Sequence, residues 1–168
     1  MPPEHSILKY IPKGVLEDHE GNIWIGTRTG GIMRLTPSLF TNYNGDDGFT
    51  DVTVNNAAED NQNRLWIAAV DGLYCLENGR FIENDLTREL KGIRVKHVMV
   101  HDKKLYVSTI SPLGVVVYTD GTVHYLNKKN GLPGNVIKKN CRFRGEYLDF
   151  YLGRSHNSKT RGTALDPQ

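Results

Sequence analysis

No apolar run in this sequence reaches the roughly 18 residues that a membrane-crossing helix requires, so no segment of it is expected to insert into a bilayer as a helix. The opening stretch MPPEHSILKYIPKG has no apolar core of the kind a secretory leader carries. Cysteine is scarce. Cys75 and Cys141 are too few for a disulfide framework, and Cys75, between Tyr74 and Leu76, suits a buried free thiol. Excess charge of one sign is also missing. Twenty-one Lys and Arg face nineteen Asp and Glu, a net charge of +2 that is too small to indicate nucleic acid or an anionic membrane as a partner. The pairs Lys103-Lys104, Lys128-Lys129 and Lys138-Lys139 are isolated, with no interleaved aromatics that would make a nucleic-acid groove.

Catalytic and metal-binding patterns are lacking as well. The six histidines form no HExxH and have no Cys or His at short metal spacing. No Ser-His-Asp constellation or carboxylate pair stands out. GTRTGG has glycines but no GKS or GKT ending, which removes a phosphate loop. No catalytic residue, metal ligand or cofactor is assigned, and no catalytic activity is expected of this chain. Long apolar faces of helical period are absent too, which excludes leucine-rich and helical repeats.

What the chain does have is glycine, 17 residues of it, and recurrence. Residues 17–35 read EDHEGNIWIGTRTGGIMRL, and residues 59–76 read EDNQNRLWIAAVDGLYCL. Glu17-Asp18 returns as Glu59-Asp60 and Trp24 as Trp66, each forty-two residues later. Gly30-Gly31 returns as Asp71-Gly72. A weaker copy, HDKKLYVSTISPLGVVVY at 101–118, keeps Asp102 in register, puts Tyr106 in the Trp place and regains the turn at Gly114. Repeats of this length with four short strands each are the signature of a propeller.

The predicted strands are Val15 to Glu17, Ile23 to Thr27, Ile32 to Leu35 and Phe40 to Tyr43, with counterparts in the next two repeats. The expected fold is therefore all-β, a partial β-propeller of about three four-stranded antiparallel blades with partial flanking repeats. Residues 1–14 end a preceding repeat. Blades occupy 15–56, 57–97 and 98–140, and 141–168 hold a degenerate fourth repeat and tail. A propeller closes with about four to eight blades, so the chain is expected to be a fragment of a larger propeller or to assemble with others.

The repeated residues are expected to serve the scaffold. On the strands IWI and LWI both faces are apolar, as in a strand sandwiched between blades, so Trp24 and Trp66 are assigned to the core. Asp18, with Asp60 at the same place, is expected to accept hydrogen bonds from turn amides; the loop is too short for a calcium site. Gly21 supplies an open dihedral. Thr27, after Gly26, is placed to satisfy a turn amide of the Gly30-Gly31 hairpin. Gly31, Gly72 and Gly114 mark the tight turn in each copy, and Tyr106 replaces Trp. Ligand-binding residues are not assigned.

The stretch VLEDHEGNIWIGTRTGGIMRL…FTNYNGDDGF resembles the two-component regulator propeller repeat, which combines an acidic pair, a D-x-x-G-N turn, an lWiGT strand, a Gly-Gly turn and a dGL connection. The likeness spans Val15–Phe49 closely, Ala57–Phe81 with NQNR in place of the turn, and Val98–Leu132 more loosely, with Gly131-Leu132-Pro133 restoring the connection. The resemblance implies part of the extracytoplasmic, ligand-binding input region of a hybrid sensor kinase. It also implies a periplasmic location, an oligosaccharide as ligand, and the remaining blades or another copy of the chain as partners. A protein-interaction or structural propeller and a propeller lyase are the alternative readings.

Overall fold

The computed structural model describes residues 10–36, 40–50, 53–130, 132, 137, 139–144, 147–155 and 158–165. Four antiparallel sheets follow one another in chain order. The first contains β1 (Pro12–Glu17), β2 (Ile23–Thr27), β3 (Ile32–Leu35) and β4 (Phe40–Tyr43). The second contains β5 (Val54–Glu59), β6 (Leu65–Ala69), β7 (Leu73–Glu77) and β8 (Arg80–Ile82). The third contains β9 (Val95–His101), β10 (Lys104–Thr109), β11 (Val115–Thr119) and β12 (Thr122–Leu126). In each, strands pair with their chain neighbours, and successive sheets meet chiefly through their first strands. This is the expected all-β partial propeller, with β1, β5 and β9 innermost.

The first strands begin earlier than alternation predicts, at Pro12, Val54 and Val95. Each carries a β-bulge near its start, where the register skips one residue. A bulge breaks the two-residue alternation, so a reading by alternation starts the strand after it. The stretch read from sequence as a decaying repeat and tail also forms strands: β13 (Lys139–Arg144), β14 (Tyr147–Ser155) and β15 (Ser158–Leu165). The β14–β15 ladder runs from Tyr147↔Leu165 to Ser155↔Ser158. Backbone pairing of this kind needs little apolar content, which is why hydrophobicity failed to announce it.

Apolar residues fill the seams between sheets. Leu16, Trp24, Ile32 and Tyr43 pack against Val54, Ala57, Leu65 and Ile67 of the second sheet. Trp66, Ala68, Leu73 and Cys75 pack against Val95, Val98, Leu105, Val107 and Val116 of the third. Tyr106, Val115 and Val117 meet Leu132 and Ile137. Polar ties cross the same seams. The Asn56 side chain donates to the Val98 carbonyl at 2.8 Å and accepts from the Val98 amide at 2.9 Å. Asn55 Nδ2 donates to the Val95 carbonyl at 2.6 Å.

The connections between blades share one construction. Asn44 caps a 3-10 turn (Gly45–Asp47), with Asp47 capping back. Asn84 caps a short helix, α1 (Asp85–Glu89), with Thr87 capping back. Asn127 accepts from the Lys129 amide, and its own amide donates to Asn130 Oδ1 at 2.6 Å. Reciprocal capping satisfies the end of a single turn. After the turn the chain drives an apolar plug inward: Phe49 and Leu132 both donate their amides to the carbonyl of the capping Asn, and both are buried.

Candidate functional site

The structure places the repeated residues in the scaffold. Asp18 Oδ2 accepts from the Trp24 indole at 2.7 Å, and Oδ1 accepts from the Glu20 and Asn22 amides. Asp60 repeats this with Trp66 at 2.8 Å, the Gln62 and Arg64 amides, and the Arg64 guanidinium. Turn amides were the partners expected of Asp18; the indole is an addition. Burial alone would raise both carboxyls. The hydrogen bonds, led by the indole in each case, outweigh it and hold them below the ordinary value. Gly21 has φ of 78°, and Asn63 adopts 60° in the second loop, which explains how NQNR replaces a glycine-bearing turn. The third loop is a two-residue hairpin at Asp102-Lys103, with both φ positive.

Trp24 and Trp66 are buried, and Tyr106 is buried in Trp's place. Gly26 faces Val54 so closely that a Cβ there would lie 2.4 Å from a Val54 methyl. Thr27 Oγ1 accepts from the Gly30 amide at 2.9 Å and donates to the Gly31 carbonyl at 2.8 Å. Gly31 and Gly114 have φ of 71° and 76° and close the same turn in their blades; Gly72 closes the turn between, where only the Ala69 backbone amide donates to the Gly72 carbonyl. The carboxylates of Asp18 and Asp60 and the Thr27 hydroxyl are thus consumed within their own blades.

A concave site lies elsewhere, at the seam between the first and second blades, on the face that carries the β6–β7 turn and the interblade connections. Here Asp47, Gly48 and Thr50 approach Asp71, Leu73, Tyr74 and the β8 residues Phe81 and Ile82, with Glu83, Thr87 and Lys91 completing a pocket of about 360 Å³. Small-molecule sites begin at roughly this size. Its polar wall is a triangle. Tyr74 OH lies 2.8 Å and Thr50 Oγ1 2.5 Å from Asp71 Oδ2, and the two hydroxyls also lie within hydrogen-bond reach of each other, so their two protons serve two of the three edges at a time. Asp71 Oδ1 is buried and has no hydrogen-bond partner among the described residues. Burial, aided by the Asp71 carboxylate, pushes the Tyr74 phenol up to about 12, so it stays a neutral donor at ordinary pH.

The apolar wall rests on an aromatic cluster. Phe49 lies 4.6 Å from Tyr74 and 5.3 Å from Phe81 between ring centroids, and Tyr43 meets Phe81 edge-on at 5.9 Å. Phe49 is the plug of the preceding connection, so the capped turn that joins the blades also fixes the pocket floor. Lys91 and Glu83 pair at 3.7 Å on the rim. A shallower hollow at the first blade, formed by Tyr10, Thr29, Gly30, Asn42, Asn44, Gly45 and Asp46, occupies the equivalent position. There Tyr10 lies flat on Gly30, where a Cβ would meet its ring at 2.5 Å. No group of three or more His, Cys, Asp or Glu among the described residues is arranged to hold a metal. The pocket offers aromatic surface, hydroxyls, carboxylates and an ammonium. Sequence reasoning missed it because Asp71 and Tyr74 were read as copies of a turn and a strand.

Comparison with known proteins places this geometry in context. The two component regulator propeller model matches residues 8–29, bearing out the resemblance read from the repeat. The chain is similar in structure to the extracellular domain of a hybrid two component system of B. thetaiotaomicron, with a TM-score of 0.69 and 19% identity, over 92% of this chain and 23% of that one. Another structure of an extracellular domain from the same organism, described as a one component system, aligns with a TM-score of 0.72 and 14% identity, over 90% of this chain and 20% of that one. A further hybrid system's extracellular domain aligns with a TM-score of 0.64 and 21% identity, over 83% of this chain and 20% of that one. The chain thus spans about a quarter or less of the proteins it resembles, and at these identities the likeness is one of fold. No curated protein matches the sequence significantly.

Proposed function

We propose that this chain is part of a sensory, ligand-binding propeller, the carbohydrate-sensing input region of a two-component regulator working in the periplasm. The seam pocket is the observation that carries the reading. An aromatic wall of Phe81 and Tyr74 suits the apolar face of a sugar ring, and Thr50, Asp71, Glu83 and Lys91 supply donors and acceptors for its hydroxyls. The fold likeness to extracellular sensor domains supports the same assignment. The partners in this reading are further blades of the ring or another copy of the chain. Ile11 and Val15, beside and on the first strand of blade one, are 59% and 68% exposed, whereas Ala57 and Val98, which stand at the Val15 place in the next two blades, are half-buried and buried.

The test is calorimetric titration of the chain with a panel of neutral oligosaccharides, repeated on Phe81→Ala and Tyr74→Phe. At least one oligosaccharide should bind saturably, and both substitutions should weaken it by about tenfold, the effect of roughly 1.4 kcal/mol. Binding that ignores both substitutions would move the ligand out of this pocket, and silence across the panel would remove the carbohydrate assignment.

A further inference from the structure

The three bulges of the first strands fall at one place in the repeat. In β1 the register passes from Pro12↔Thr27 to Gly14↔Gly26, leaving Lys13 unpaired in the ladder. In β5 it passes from Val54↔Ala69 to Asn56↔Ala68, leaving Asn55. In β9 it passes from Val95↔Thr109 to His97↔Ser108, leaving Lys96. Bulges re-aim a side chain and recur beside functional sites. Here they do so on the innermost strands, at the end of the propeller bearing the seam pocket. Asn55 reaches across to the Val95 carbonyl, next to Lys96, and Gly14, next to Lys13, packs on the Asn55 backbone, where a Cβ would lie 3.4 Å from its carbonyl oxygen, so the three bulges adjoin along one rim.

The rim is cationic, although the whole chain is nearly neutral. Arg94 immediately precedes β9, its backbone held by the Ile110 amide at 2.9 Å. Lys96 is partly buried. Burial first, then the charges of Arg94 and Lys13, push its ammonium below the ordinary value. The ion pairs among the described residues involve His19, Arg64, Arg88, Lys91 and His101, and none takes in Lys13, Arg94 or Lys96. Like charges gathered at one rim with no ion-pair partner among the described residues are destabilising by themselves and favourable toward an anion.

We propose that Lys13, Arg94 and Lys96, set by the repeated first-strand bulges, form an oxyanion-binding rim at the mouth of the propeller channel, taking carboxylate or sulfate groups. Asn55 contributes an amide between the cations. The rim is separate from the seam pocket and stands whether or not that pocket binds a neutral sugar.

The experiment is a titration of the 168-residue chain at low salt with citrate, with trigalacturonate and with neutral maltotriose. It is followed through the NMR resonances of Lys Nζ and Arg Nε. Citrate or trigalacturonate should shift Lys13, Arg94 and Lys96 saturably, and maltotriose should not. Tighter binding of trigalacturonate would identify an acidic glycan as the source of the oxyanion, and tighter binding of citrate a free anion. The double substitution Lys13→Gln with Lys96→Gln should cost about tenfold or more in affinity for either anion. Arg80→Gln with Lys103→Gln removes the same net charge near the far end of the blades, beyond a Debye length of about 10 Å, and should change affinity by less than about twofold. Both variants should keep the parent's far-ultraviolet circular dichroism. Shifts that never saturate, or equal losses in the two double variants, would overturn the proposal.

Discussion

Asp60 is the position where one side chain holds most together, and its removal can be costed bond by bond. The carboxylate receives the Trp66 indole, the Arg64 guanidinium and two loop amides, all between 2.7 and 3.0 Å. In Asp60→Ala the loop amides and Arg64 can turn to water, because the loop is largely exposed and the Arg64 side chain is 21% accessible. Trp66 cannot, since it is fully buried, so its N–H is left unsatisfied at a cost of about 1–3 kcal/mol. Loss of the charge-assisted loop bonds adds about 1–2 kcal/mol, and the total expected is about 3 kcal/mol. Asp60→Asn keeps one acceptor for the loop but faces the indole and guanidinium with a weaker or mismatched group; it should cost about 1–2 kcal/mol. Urea unfolding at pH 7 measures both. The decisive form is a double-mutant cycle with Trp66→Phe, where a coupling of about 1–2 kcal/mol is expected. Coupling indistinguishable from zero would mean that Trp66 is held by packing alone. Because the Asp60 carboxyl is depressed in the folded state, its contribution is present above the ordinary value of 3.8 and is lost as pH falls through the folded value, so Asp60→Asn should flatten acid unfolding below about pH 4.

His19 makes an interblade pair with Glu59, through its ring at 2.7 Å and its amide at 2.9 Å. The Glu59 hydrogen bond, aided by the charges of Glu59, Glu20 and Asp18, raises the imidazole above 6.5, so the tie is complete below that value and fades as pH rises through the folded pKa. An NMR titration should give His19 a pKa that falls toward 6.5 in Glu59→Gln, and no change would deny the pairing. Asn56→Leu should cost about 1–3 kcal/mol by leaving the Val98 amide and carbonyl without the side-chain partner; a urea melt showing no loss would make the interblade clamp ornamental. Gly114→Ala should destabilise by about 2 kcal/mol or more, because φ of 76° is combined with a Cβ only 2.2 Å from the Leu126 carbonyl. Gly121→Ala, with φ of 84° and open space, should cost less, and equal melting of the two would contradict the steric part of this account.

The scaffold was legible in the sequence wherever physics repeats. Trp at a fixed interval between apolar neighbours reported a strand buried on both faces, and Gly21 before the second strand reported a left-handed turn, whereas the same role for Asn63 in NQNR emerged only from the structure. The Asp–indole bond was in principle legible too, since Asp and Trp recur together at the same separation, but a turn amide is the more general partner for an aspartate. The bulges were not legible, because an inserted residue looks like an early end of alternation. The β14–β15 ladder was hidden for a different reason: its order comes from backbone pairing, not from apolar side chains.

The seam pocket and the cationic rim follow from this same division. The aspartate repeated in the first two blades is satisfied within its blade: the oxygens of Asp18 and Asp60 are fully occupied by their own loop and Trp. Such a group has no hydrogen-bonding capacity left for a ligand. Capacity remains where one copy departs from the other. Gly30 becomes Asp71, which leaves a carboxylate oxygen without a partner among the described residues. The bulge holds Lys13, then Asn55, then Lys96, and only the asparagine is bonded to its neighbour. A propeller that recognises a ligand must therefore do so through positions that its own repeat leaves unspecified. Substitutions at Asp71, Tyr74, Lys13 and Lys96 should accordingly alter binding more than folding, while those at Asp18, Trp24, Asp60 and Trp66 should do the reverse.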